Sequence, residues 1–232
     1  VAGLAAAVFF LLVPIVASAG AIVAGWGAYA NLRARADSEN PGPQSFGRFL
    51  VYPGIVFTPI VFGFVLWLLS RPVASQIDSA NPPPGAVIAD LLLFDAGISF
   101  AIVVVLALAS QAWIARARMA QFVGADFGRV EPLIVMPEIA SILALILVFL
   151  ILSRAEGLIG MPAPSAVTVD SAVYSLQVFS VASIALLLGA VLSNQVEDLK
   201  GRGFLWALVR AEVGVVVVII FFIFAYLQLE NF

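Results

Sequence analysis

Six apolar runs divide this chain, separated by short stretches where the polar residues collect. They cover Ala2–Leu32, Phe46–Leu69, Ala86–Ala115, Pro132–Leu152, Val169–Leu192 and Phe204–Leu229. A helix needs about 20 residues to cross a bilayer, so each run predicts one transmembrane helix. The first and third exceed that length and are expected to tilt or to project beyond the lipid. No run contains a polar interruption of the kind that marks a broken helix. Three connectors, Asn31–Arg48, Arg116–Arg129 and Asn194–Arg202, carry basic side chains. Two others, Ser70–Gly85 and Ser153–Thr168, are rich in Pro, Ser and Ala and include NPPPG (Asn81–Gly85) and GMPAPS (Gly160–Ser165). Such links stop helices and set one pair of helices apart from the next.

The connectors also orient the chain. Of eleven Lys and Arg residues, only Arg71 and Arg154 lie in the Pro-rich links; the rest lie in or beside the basic connectors. This bias places the basic connectors in the cytoplasm, and both termini and the Pro-rich links on the opposite side.

An internal repeat overlies the pattern. FGRFLVYPGIVFTPIVFGFVLWLLSR (Phe46–Arg71) is echoed by FGRVEPLIVMPEIASILALILVFLILSR (Phe127–Arg154), and more faintly by GRGFLWALVRAEVGVVVVIIFFIFAYL (Gly201–Leu227). Each opens on Gly-Arg at a basic connector and runs on into a long apolar helix. The expected fold is therefore an all-α membrane protein of six transmembrane helices. They form three tandem helical hairpins, residues 1–75, 76–157 and 158–232.

Composition agrees with lipid as the solvent. The chain is 63% hydrophobic and 11% charged, with a mean hydropathy of +1.13, against about 45–50% apolar and about 25% charged in soluble domains. It contains no Cys and no His, which removes disulfides, thiolate or imidazole metal sites, and Ser–His or Cys–His catalysis. No basic tract suggests nucleic acid, no Gly-rich phosphate loop suggests a nucleotide site, and no cofactor is implied.

Against this background two carboxylates stand out. Glu138 follows Pro137 in MPEIASILALILVF, and Glu212 lies in AEVGVVVVIIFFIF. An ionisable residue inside a span is costly and marks function by default. Desolvation disfavours charge, so the neutral acid is the expected resting form in lipid. A Glu bonded to Ser or Gln of a neighbouring helix is the structural alternative. Arg210, two residues before Glu212, points to a different side of the helix and can reach towards the cytoplasmic edge. Gln111, in the facing helix of the second hairpin, is a candidate partner of Glu138 or a polar residue at a helix end. Asp95, Asp170, Gln177 and Gln195 have no matched partners in the pattern. Asp95 and Asp170 are expected near helix starts, where an acid suits the dipole.

The segment FGRVEPLIVMPEIASILALILVFLIL (Phe127–Leu152), with GRGFLWALVRAE (Gly201–Glu212) as a weaker echo, resembles the proteolipid of V-type and archaeal A-type rotary ATPases, the c or K subunit of the rotor ring. In the first hairpin Pro53-Gly54 stands where the acid would be. The first helix has Gly20, Gly25 and Gly27, whereas the third and fifth use mostly Ala, Ser and Val where that family is rich in Gly. The resemblance implies a homo-oligomeric ring in lipid that carries protons on Glu138 and Glu212. It implies a stator subunit that supplies an arginine, and central-stalk subunits at the cytoplasmic loops. The chain would then be a non-catalytic subunit, with nucleotide chemistry on its partners. Apolar Ile139-Ala140 and Val213-Gly214 after the acids favour a proton over a hard cation, which wants several oxygen ligands. The alternative is a six-helix transporter or a structural subunit of a membrane complex. The parallel repeat and unbroken runs weigh against a transporter, which is often built on broken helices in inverted halves.

Overall fold

The computed structural model describes residues 2–35, 43–78, 85–159 and 166–230. The NPPPG and GMPAPS links, apart from Gly85, lie outside these residues. No strand occurs among the described residues. Six helices are long and apolar enough to cross a membrane: α1 (Gly3–Ala34), α2 (Ser45–Ile77), α3 (Ala86–Val123), α4 (Phe127–Leu158), α5 (Thr168–Asn194) and α6 (Arg202–Glu230). The protein is a multi-pass integral membrane protein. Every helix runs further than the apolar patterning indicates at one end or both, the first by only two residues, to Ala34. A helix satisfies its own backbone hydrogen bonds, so α2 continues through Arg71 and α3 through Arg116 after the apolar stretch has ended.

The helices pack in two rows. One row is α1, α3 and α5, in which α3 touches both others; the second is α2, α4 and α6, in which α4 touches both others. Across the rows α1 lies on α2, α3 on α4, and α5 on α6. The middle of the assembly is α3, whose most apolar window is 67% buried, against 28% in α1 and α6 at the flanks.

Hydrogen bonds tie the helices at both ends of the bundle. At one end the Arg48 guanidinium donates to the carbonyls of Val123 (3.4 Å) and Gly124. There too the Gln121 amide donates to the Glu197 carbonyl (3.4 Å). At the other end the Gly3 N–H donates to Asp78 Oδ2 (3.3 Å), and Arg154 donates to the Glu230 carbonyl (2.9 Å). The three basic connectors thus share one end, called the basic end below. These bonds span 75 or 76 residues of sequence.

Close approach of α1 to α2 depends on one glycine. A π-helical turn, Ala7–Leu12, precedes Pro14, whose ring would clash with the Phe10 carbonyl in a regular α-helix. That carbonyl oxygen lies against Gly63 of α2, so a methyl group at Gly63 would overlap it. Gly63→Ala is expected to lower stability by about 1–3 kcal/mol. Gly54→Ala on the same helix, where nothing lies within 4 Å of an added methyl, should change it by less than about 0.5 kcal/mol. Denaturant titration of both variants in detergent checks the pair; equal effects would show that the crossing tolerates a side chain.

Two helices are bent where the sequence reads as unbroken. In α4 the bend falls at Met136–Pro137, where Pro137 has no N–H to donate and the bonding tightens to Ile139 N–H on Met136 (3.1 Å) and Ala140 N–H on Pro137 (3.2 Å). In α5 it falls at Ser183–Ile184. There the Ser180 and Ser183 hydroxyls donate back to the carbonyls of Leu176 (2.8 Å) and Phe179 (3.1 Å), a local competition that bends helices. Hydropathy is blind to both, because proline and serine remove or redirect hydrogen bonds without making a run polar.

Candidate functional site

Glu138 begins the second segment of α4, directly after the Pro137 bend. It stands about three turns into a helix that starts at Phe127. The helix face around it is divided. Pro137, Ala140 and Ser141 are buried, whereas Ile139 and Ile142 are 37% and 40% exposed. Glu138 sits on the border, half-buried, and its carboxyl lies near the Thr58 side chain of α2. Thr58 is itself half-buried and precedes Pro59 in the apolar run VFTPIVF. The site thus combines a carboxyl and a hydroxyl from adjacent helices of one row, next to a membrane-facing surface. A neutral carboxyl there can hold a proton in a place that lipid can reach.

Gln111 stands at about the same height on α3, three turns from the α3–α4 connection. It is 1% exposed, and neither amide atom has a hydrogen-bond partner; the buried Ser141 hydroxyl has none either. No hydrogen bond joins Gln111 to Glu138 among the described residues.

Glu212 lies about three turns into α6, on its exposed side among Val209, Val213 and Val216. Ala211 and Gly214 turn the other way, and a methyl at Gly214 would press on the Ala185 carbonyl of α5. Arg210 is not bonded to Glu212: it donates to the Leu192 carbonyl at 3.3 Å, near the end of α5. Glu212 makes no hydrogen bond or ion pair with the described residues. Its surroundings differ from those of Glu138, which faces the preceding helix of its row. In the first repeat Gly54 is exposed, with open space at its Cα.

The remaining polar residues are sorted by contact. Asp95 is 8% exposed, more than two turns into α3, and accepts a hydrogen bond from Gln177 of α5 (3.4 Å). The patterning, which left both residues unmatched, shows only their types; parallel neighbours α3 and α5 bring them together. Asp170 is exposed near the start of α5, where an acid suits the dipole. Arg118 differs most from its reading as a connector cation. It is 4% exposed, at a kink in α3 (φ −117°, ψ 15°). Its Nε donates to Asn194 Oδ1 (3.1 Å), one terminal nitrogen to Gln121 Oε1 (3.1 Å), and the other to the carbonyls of Ser193 (2.6 Å) and Val196 (2.8 Å). It closes the end of α5, where helix carbonyls lack partners of their own.

Sequence reasoning passed over Thr58 and misjudged Arg118. The signal for Thr58 was a lone hydroxyl in an apolar run at the height of Glu138; Arg118 carried no signal apart from its charge. No protein-family model, curated protein or solved structure matches this chain.

Proposed function

We propose that the protein is a rotor-ring subunit of a V/A-type proton-translocating ATPase or ATP synthase, carrying protons on intramembrane glutamates. The observation that carries this reading is the Glu138–Thr58 contact between neighbouring helices of one row, beside a membrane-facing surface. The two rows support it. Three tandem hairpins standing side by side would give α1, α3 and α5 as an inner layer and α2, α4 and α6 as an outer one. Both glutamates belong to the outer row, and copies of the chain would continue the rows into a closed ring.

In this reading Glu138 is neutral while it faces lipid. It gives its proton up opposite an arginine of a stator subunit and takes another from a water-filled half-channel. Thr58 holds the carboxyl in place during the transit. Glu212 is the second carrier, and a neighbouring chain would supply whatever faces it in the ring. The first hairpin, with Gly54, carries none. The basic connectors would face the cytoplasm and meet the central stalk. The chain itself performs no nucleotide chemistry.

The bends in α4 and α5 favour the second reading, a six-helix transporter, because transporters gather their sites at interrupted helices. Here the three-residue hydrogen bonds keep most backbone groups paired at both bends, unlike an unwound segment that offers carbonyls to an ion. Electron-microscopic imaging of the purified protein separates the two. Closed rings of hairpins are the expected result; uniform particles of a single six-helix chain would overturn the rotor reading and leave the transporter.

A further inference from the structure

At the basic end, the α1–α3–α5 row carries two adjoining grooves, of about 510 Å³ and about 580 Å³. The first lies between α1 and α3 and includes Val23, Gly27 and Asn31; the second lies between α3 and α5 and includes Trp113 and Asn194. Arg116 lines both. It is exposed, and it makes no hydrogen bond, ion pair or ring contact with the described residues. This contrasts with Arg118, two residues on, whose guanidinium is buried and fully engaged. Below the grooves the row is apolar: Ile102 and Val105 of α3 are 40% and 41% exposed, and Val181, Ile184 and Leu188 of α5 are 49–66% exposed. At Gly27 an added methyl would meet nothing within 4 Å, so the first groove is open down to the helix backbone.

The arrangement is that of an amphiphile site. An unpaired guanidinium stands at the rim, amide side chains flank it, and an apolar, open-floored channel leads away towards the membrane centre. We propose that the grooves on either side of Arg116 bind an anionic phospholipid, with its phosphate on the Arg116 guanidinium and its acyl chains along the α1–α3 and α3–α5 channels. Charge complementarity selects this occupant. Guanidinium matches phosphate in a two-pronged geometry, and basic pockets between transmembrane helices take anionic headgroups. A neutral, zwitterionic lipid would fill the channels and gain less at the rim. The inference does not rest on the rotor reading; it uses a different row of helices and neither glutamate.

The test uses the purified full-length protein in detergent, with phosphatidylglycerol, phosphatidylcholine and glycerol phosphate as probes. Retained lipid is counted by native mass spectrometry. Phosphatidylglycerol should be retained about fivefold better than phosphatidylcholine, the preference expected of one cationic side chain near a headgroup. Arg116→Gln should abolish that preference, Arg116→Lys should keep part of it, and Arg71→Gln, at the opposite end, should leave it unchanged. Gly27→Leu should reduce retention of both lipids by filling the channel. Arg116 has no partners to lose, so its variants should fold. Equal retention of the two lipids by the unaltered protein, or an unchanged preference in Arg116→Gln, would overturn the proposal. Competition by glycerol phosphate at the lipid's own concentration would overturn it too, since the site would then read a soluble anion.

Discussion

A hydrophobic carbodiimide should modify Glu138 at neutral pH at least about tenfold faster than the connector acids Asp126, Glu197 and Asp198. Carbodiimides attack protonated carboxyls in apolar surroundings, and a carboxyl removed from water favours its neutral form. Glu138 meets both conditions: it lies about three turns inside a span, beside Ile139 and Ile142, with the Thr58 hydroxyl nearby. Asp126, by contrast, is bound to Arg129 at 2.5 Å, and Asp198 accepts a bond from the Lys200 N–H at 2.8 Å. Peptide mass mapping of the labelled protein decides it, with Glu138→Gln as the check on the assigned position. If the chain serves as the proposed rotor subunit, the same modification should stop proton-coupled ATPase activity in the assembly. Sodium at millimolar concentration should not slow the reaction, because one carboxyl and one hydroxyl fall short of the several oxygens that a hard cation requires. Protection by sodium would mean that further ligands converge on Glu138. Labelling confined to connector acids would remove it as a carrier.

Replacing Arg118 by Met should be the most destabilising of the substitutions considered, by about 3–5 kcal/mol. The guanidinium is buried without a carboxylate, and its charge is spread over four neutral acceptors, two of them backbone carbonyls at the end of α5. Methionine fills much of the volume but donates nothing, so the Ser193 and Val196 carbonyls each lose the Arg118 donor. Lysine keeps the charge without the planar fork and should recover only part of the loss. Arg116→Met, two residues away and without partners, should cost less than about 0.5 kcal/mol. Thermal unfolding in detergent, followed by a probe at α5, measures all three. Equal losses at the two arginines would show that charge, and not the bonding of Arg118, matters at this end of the bundle.

The contrast between these arginines shows what patterning can and cannot convey. Apolar runs disclosed six spans because the bilayer demands length and hydrophobicity in continuous segments, and both can be counted along a chain. The site was legible in part. Glu138 was conspicuous because a charge in an apolar run is rare, whereas its neighbour Thr58 lies 80 residues away and is chemically unremarkable. Arg116 and Arg118 are one type in one short stretch, ARARM, yet two residues of helix turn the first outward and the second inward. The bends at Pro137 and Ser183 also escaped, because they alter hydrogen bonding at constant hydropathy. What sequence withholds here is direction: which side of a helix a residue occupies, and what stands opposite.

The span of the Arg118 bonds has a consequence for biosynthesis. Ser193 and Val196 lie 75 and 78 residues beyond the arginine they hold. At a synthesis rate of about 5–20 residues per second, the third helix waits about 4–15 s for its acceptors. During that interval the cation of a newly made helix has only Gln121 of that helix, water, headgroups or the insertion machinery to bind it. The nascent chain thus passes through a stage at which its end must stay in the aqueous layer, and the arrival of the fifth helix draws it in. The last third of the molecule therefore completes the burial of a residue made in its middle third.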